Sequence, residues 1–177
     1  MRIIAGHLGG RLFDSPRGNR THPMSDKIRG ALFNALGDLS GQTVLDAFAG
    51  SGALSFEAVS RGAASVIALD IDKQAYETIV TNIAKLDLSE RVIALRKNAG
   101  GWSRNNQHKT FDVVLADPPY DDIRPNVIER LTRQTTIGGI FVLSWPGREP
   151  IRPFADMEVL QSKSYGDAQL VFYRRIK

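Results

Sequence analysis

From about residue 41 onward, short and nearly continuous apolar runs alternate with segments of helical period. Few architectures suit that pattern, because apolar strands separated by helices form a parallel sheet covered on both faces. Residues 43–48 (TVLDAF), 65–70 (SVIALD), 92–96, 111–116 (FDVVLA) and 140–144 read as five strands. Between them, 53–61 reads as a helix ended by Gly62, and 73–86 carries Ala75, Ile79, Ile83 and Leu86 at helical spacing. Pro125 suits a helix first turn, with Val127, Ile128 and Leu131 as its apolar face. The tail changes character: 158–164 and 169–174 flank Tyr165-Gly166-Asp167 as two antiparallel strands would. The expected fold class is α/β, a mostly parallel sheet with helices on both faces and a C-terminal antiparallel hairpin.

Ahead of that body, residues 2–15 alternate around Gly9-Gly10 and suggest a small hairpin, and 16–23 read as loop. Ser25 is placed to cap a helix running to Leu36, with Gly37 past its end. Ile28, Leu32 and Leu36 form its apolar stripe, which would turn Lys27 and Arg29 away from the body. The expected organisation is an extension over residues 1–40 packed on a body over 41–177. A length of 177 residues favours one structural domain.

The formal charge of +4 is unevenly placed, since residues 1–30 hold Arg2, Arg11, Arg17, Arg20, Lys27 and Arg29 against only Asp14 and Asp26. The whole excess therefore lies in the extension, beside His7 and His22. A basic segment on a neutral body suits contact with a polyanion such as nucleic acid, and equally a solvated basic face. The absence of cysteine excludes a disulfide framework, thiolate metal ligands and a cysteine nucleophile. His7, His22 and His108 lack ligand spacing, so no metal site is expected. No apolar run approaches the roughly 18 residues of a membrane span, and the first residues lack a signal peptide's apolar stretch. A cytoplasmic location is expected.

Two motifs carry chemistry. The first predicted strand ends in Asp46-Ala47-Phe48-Ala49-Gly50-Ser51-Gly52, and a helix begins at once. Gly50 and Gly52 let backbone approach a ligand where helix amides attract polar groups. Eighteen residues past Gly52 the second strand ends in Asp70, placed to accept hydrogen bonds from both hydroxyls of a ribose. The dinucleotide fingerprint wants a third glycine where Ser55 stands, and no GxxxxGK[ST] run occurs. A site lacking pyrophosphate-cradling features but keeping ribose contacts suits S-adenosylmethionine, its charged end near Asp46.

The second motif, Asp117-Pro118-Pro119-Tyr120, directly follows the fourth strand. Two prolines remove two amide donors and stiffen the turn. The Pro118 carbonyl and the Asp117 carboxylate become a fixed pair of acceptors beside the flat face of Tyr120. Such a turn suits a flipped-out base whose ring stacks on Tyr120 while its exocyclic NH2 donates to both acceptors. An aromatic amine is a poor nucleophile because its lone pair is delocalised. Two acceptors on its hydrogens favour a pyramidal nitrogen aimed at a methyl donor, through positioning and electrostatics rather than strong basicity.

Together DAFAGSG, Asp70 and DPPY resemble the amino-methyltransferases that use S-adenosylmethionine. More closely, the chain resembles the RsmD-like bacterial enzymes that methylate guanine N2 in 16S ribosomal RNA, through RIIAG at 2–6, PMSDKIRGALFN at 23–34 and the YGD near the end. The resemblance implies a Rossmann-like class I methyltransferase fold and, in this sequence, catalysis by Asp117, Pro118, Pro119 and Tyr120. It implies that Asp46, Phe48, Gly50 and Gly52 surround the methionine end of the cofactor and that Asp70 holds its ribose. Ile71, Asn98 and Ala99 would meet the adenine, with Asn98 standing where the family more often shows Asp. RNA would be gripped by Arg2, His7, Arg11, Arg20, His22, Lys27 and Arg29, with His22 and Gly30 in place of the family's Arg and Glu. The expected enzyme is a monomer acting on ribosomal RNA or the small ribosomal subunit, needing no metal. An adenine-N6 methyltransferase, a nucleic-acid-binding module with a vestigial cofactor pocket and a nicotinamide-dependent oxidoreductase are the competing readings.

Overall fold

In the computed structural model, which describes residues 1–17 and 24–177, seven strands form one sheet. They are β1 (Thr43–Asp46), β2 (Ser65–Asp70), β3 (Val92–Arg96), β4 (Phe111–Ala116), β5 (Thr135–Pro146), β6 (Met157–Tyr165) and β7 (Ala168–Arg175). Their order is β3-β2-β1-β4-β5-β7-β6; the first five run parallel, and β7 pairs antiparallel with both β5 and β6. Helices α1 (Asp26–Leu36), α2 (Ala53–Ser60), α3 (Lys73–Leu86), α4 (Ala99–Asn105) and α5 (Pro125–Arg133) cover the two faces. Chain order reverses between β1 and β4, so the crevice above their carboxyl ends is the topological switch where open α/β sheets bind ligands.

Alternation along the central strands divides the core. Val44, Val113 and Leu115 face α1, α2 and α3, while Leu45, Val114 and Ala116 face α4 and α5. The helix α4 is absent from the sequence reading, because Ala99-Gly100-Gly101 is a poor helical start by propensity. Its start is set instead by Asn98, whose side chain accepts from the Gly101 amide at 3.1 Å. Strand β5 begins five residues earlier than expected and runs through Gly138-Gly139, its pairing with β4 shifting register between Phe111 and Val113.

The first fourteen residues of the extension are fastened to α2 and α3. Residues 1–14 carry one antiparallel bridge, Arg2 with Leu12, rather than a full hairpin. Ile3, Leu8 and Phe13 are buried, and the Phe13 ring meets Phe56 of α2 edge to face with centroids 5.2 Å apart. Glu57 of α2, wholly buried, accepts the Ile4 and Ala5 amides at 2.8 and 3.1 Å. Asn82 of α3 exchanges two hydrogen bonds with the Asp14 backbone, each 2.9 Å. At Gly6, φ is +83° and any Cβ would lie 1.9 Å from the Ser60 carbonyl oxygen, so no other residue lets the backbone sit that close to the end of α2.

Arg29 overturns one expectation. It is fully buried, and the inward stripe of α1 is Arg29, Leu32 and Phe33, with Ile28 only half-buried. Its guanidinium donates to the Arg2 carbonyl at 2.8 Å, to Asp26 at 2.9 Å and to the Met24 carbonyl at 3.3 Å, and lies 3.9 Å from Glu57. A cation this enclosed is held through its terminal nitrogens, its Nε alone finding no hydrogen-bond partner, and is closed to any phosphate.

Candidate active site

The three acids singled out by sequence converge on the carboxyl rim. Asp46 ends β1 in register with Ala68 of β2 and Leu115 of β4, so Asp70 and Asp117 each stand two residues beyond its neighbours. Asp46 is fully buried, and Ser55 of α2 donates to its Oδ2 at 2.6 Å. The same position that breaks the dinucleotide fingerprint therefore holds the strand-end carboxylate. Its Oδ1, buried like the rest of the side chain, has no partner among the described residues. Burial pushes the Asp46 carboxyl up to about 7; Ser55 opposes the rise, and the charges of Asp117 and Asp70 add to it.

Asp70 is half-buried and binds the glycine turn itself, accepting from the Gly50 amide at 2.7 Å and the Asp72 amide at 2.8 Å. Those two amides partly offset the upward push of burial on its carboxyl. Gly52 caps α2 with φ +80°, and a Cβ there would meet the Phe56 ring at 2.7 Å. No side chain caps that helix end, which leaves its first amides without a side-chain acceptor. Phe48 is half-buried beside this turn, and Ile71, just past Asp70, exposes 63% of its surface where an apolar residue gains nothing from water. A cleft of about 450 Å³ lies at the end of β3, lined by Leu95, Asn98, Gly101 and Trp102 among others. Asn98 thus reaches it but spends its side-chain oxygen on α4, and Ala99 beneath it is buried. An orphaned carboxylate oxygen, a strand-end acid, an uncapped helix start and an exposed aliphatic surface together fit the amine, ribose and adenine of S-adenosylmethionine.

The tetrapeptide sits across the crevice. Pro118 is buried, Pro119 exposed, Asp117 half-buried and Tyr120 41% exposed, so the ring is presented rather than packed away. Sequence alone gave the Tyr120 hydroxyl no task. In the structure it lies 2.8 Å from Ser144 Oγ of β5 and 3.3 Å from the Trp145 carbonyl oxygen, which fixes the ring plane. Burial raises the Asp117 carboxyl above the usual range, and the Ser144 hydroxyl partly counters it. Ser55 and Ser144 are the site residues that sequence reasoning missed. Ser55 is legible only once its position is seen to face the strand end, and Ser144 only once β5 is known to lie beside β4.

The residues expected to grip RNA disperse. Arg20 and His22 lie outside the described residues. Arg29 is buried, as above. Arg11 donates to the Leu86 and Lys85 carbonyls, each at 3.2 Å, capping the end of α3. Arg2 pairs with Asp26 at 3.1 Å, and the His7 ring Nδ1 lies 2.9 Å from the Ser60 carbonyl. Lys27 is exposed and forms no ion pair among the described residues. Among those residues, no cluster of three or more His, Asp or Glu could hold a metal, and no helix is long and apolar enough to cross a membrane.

Comparison with known proteins identifies the family. Ribosomal RNA small subunit methyltransferase D of Buchnera aphidicola is 36% identical over 67% of this chain and 62% of its own length. The protein of that name from Escherichia coli is 34% identical over 68% of this chain and 60% of its own length. The chain therefore spans under two thirds of either relative in these matches. A solved structure of yhhF from Escherichia coli, a methyltransferase by provisional assignment, superposes with TM-score 0.89 at 26% identity, covering 99% of this chain and 98% of that one. The family described as conserved hypothetical protein 95 matches residues 1–174, and this chain, with its class I methyltransferase fold, belongs to that family, the RsmD-like methyltransferases.

Proposed function

We propose that the protein transfers a methyl group from S-adenosylmethionine to the exocyclic N2 of a guanine in 16S ribosomal RNA. The observation that carries this reading is the Asp117–Tyr120 turn at the carboxyl end of β4. It presents an anchored, exposed ring and a half-buried carboxylate across the crevice from the unpartnered oxygen of Asp46. The RNA-directed names of the relatives and the N-terminal RIIAG and PMSDKIRGALFN segments support the choice of ribosomal RNA.

In this reading Asp46 Oδ1 holds the amine of the cofactor, Asp70 its ribose, and Ile71 packs on its adenine, with Asn98 and Ala99 at the ring's edge. When bound, S-adenosylmethionine supplies an electrophilic methyl group. The chain's own residues do the rest. Tyr120 stacks the extruded guanine, and the Asp117 carboxylate and Pro118 carbonyl accept from its N2 hydrogens. That pair turns the nitrogen lone pair toward the methyl and selects the near-attack geometry. The nitrogen gains one carbon bond and must lose one proton. Asp117, whose carboxyl is pushed up by burial, is placed to take it.

The test is transfer of labelled methyl from S-adenosylmethionine to purified 16S RNA and to small ribosomal subunits, followed by digestion to nucleosides. Label in N2-methylguanosine is expected. Label in N6-methyladenosine moves the protein to the adenine enzymes, and RNA binding without label makes it a binding module.

A further inference from the structure

Ser144 lies on β5, four per cent exposed, one strand away from the tetrapeptide and with no part in the reading above. Its Oγ is 2.8 Å from the Tyr120 hydroxyl. Ser144 and Asp117 also line the same narrow cavity, whose other walls include Met24 and Leu32 of the extension side, Leu54 of α2 and Leu170 of β7. One hydroxyl carries one proton and two lone pairs, so it can accept from one neighbour while donating to another. The Tyr120 hydroxyl has one proton and two acceptors within reach. The Ser144 contact at 2.8 Å is far shorter than the one to the Trp145 carbonyl at 3.3 Å, so the proton is assigned to the short contact, with Ser144 Oγ accepting. The serine proton is then free for the one anionic acceptor in that cavity, the Asp117 carboxylate.

We propose, building on the function given above, that Ser144 is a positioning residue whose hydroxyl accepts the hydrogen bond of Tyr120 and donates one to the Asp117 carboxylate, locking the stacking ring and the acceptor carboxylate to each other. The two groups that must bracket the target base arise from one flexible-ended turn, separated by two prolines. Prolines fix φ but leave the final residue's ring torsions free. A tie to the neighbouring strand removes that freedom on the ring side and orients the carboxylate on the other. Losing a single preorganised hydrogen bond of this kind corresponds to roughly a tenfold fall in turnover. Because the serine hydrogen bond also favours the ionised carboxylate, its loss raises the pH at which Asp117 becomes a competent acceptor.

The experiment is a double-mutant cycle with Ser144→Ala and Tyr120→Phe in the full chain, read by kcat, by cofactor affinity and by the acid limb of the pH–rate profile. Ser144→Ala should lower kcat about tenfold, leave the Kd for S-adenosylhomocysteine within about twofold and shift the acid limb to higher pH. Tyr120→Phe should cost distinctly less in the Ser144→Ala background than in the unaltered enzyme, because the shared bond is already gone. Ser144→Thr, which keeps the hydroxyl, should restore the acid limb. Additive losses with an unmoved acid limb would overturn the relay and leave Ser144 a packing residue. An enzyme whose Asp117→Ala form remains active would instead remove the reading of the site, and this role with it. An Asp117→Ala form without activity beside an undisturbed Ser144→Ala form would sink the relay alone.

Discussion

The extension and the carboxyl rim are both rich in charge, yet they treat it in opposite ways. In the extension nearly every described charged group finds a partner: Arg29 with three carbonyl or carboxylate acceptors on its terminal nitrogens, only its Nε going without, Arg11 with the end of α3, Arg2 with Asp26, and Asp14 with Lys85 at 3.1 Å. At the rim, Asp46 keeps an unpartnered oxygen in a fully buried setting, and burial raises the carboxyls of Asp46, Asp70 and Asp117 alike. Satisfied charges hold a fold together, whereas buried and unsatisfied ones mark where a ligand is to complete the set. The basic count of residues 1–30 therefore reports mostly on docking, and only its remainder on RNA.

The sharpest way to break this contrast is to swap effects between the regions. Asp117→Ala should abolish methyl transfer, by about a thousandfold or more, while calorimetry finds cofactor affinity little changed. Arg29→Ala should act on stability instead, lowering the unfolding free energy by about 3 kcal/mol in urea titrations, because it strips a buried network of its cation. Lys27→Ala, two residues away but exposed, should stay within about 0.5 kcal/mol of the parent. Loss of RNA affinity without loss of stability in Arg29→Ala would erase the distinction.

Asp46 gives a subtler probe. Its charged form is the one that receives a cationic amine, so cofactor affinity should rise with pH and level off above about 7. Below that, affinity should weaken by up to roughly tenfold per pH unit, and Asp46→Asn should show a flat profile by calorimetry. The sign for stability is the reverse. A carboxyl raised in the folded state from 3.8 to about 7 stabilises fully below 3.8 and loses that contribution as pH rises through about 7. The ligand-free melting temperature should thus fall across that window relative to Asp46→Asn. The smallest effect belongs to the exposed cations: neutralising Arg17 or Lys27 should weaken RNA binding a few-fold and reduce the salt slope by about one each, with melting temperature unchanged.

The strands, the C-terminal hairpin and the positions of Asp46, Asp70 and the DPPY turn were legible because their signals are local: apolar runs, a glycine turn, two prolines. What was hidden depends on residues far apart in the chain. Arg29 reads as a surface cation because its buried partner Glu57 lies on another helix and its acceptor on Arg2 precedes it by 27 residues. Ser144 reads as one more strand residue until sheet order sets β5 beside β4, 24 residues from the ring it holds. Helix α4 was missed for the opposite reason: propensity argued against Gly100-Gly101, and a single cap at Asn98 overrode it.

The central claim is that the rim's acceptors act on a guanine amino group. Its most direct test is mass spectrometry of nucleosides from the 16S ribosomal RNA of cells lacking this protein, complemented either by the unaltered chain or by Asp117→Ala. N2-methylguanosine should drop in the deleted cells, return with the unaltered chain and stay low with Asp117→Ala. Unchanged N2-methylguanosine with a loss of N6-methyladenosine, or full restoration by Asp117→Ala, would contradict it.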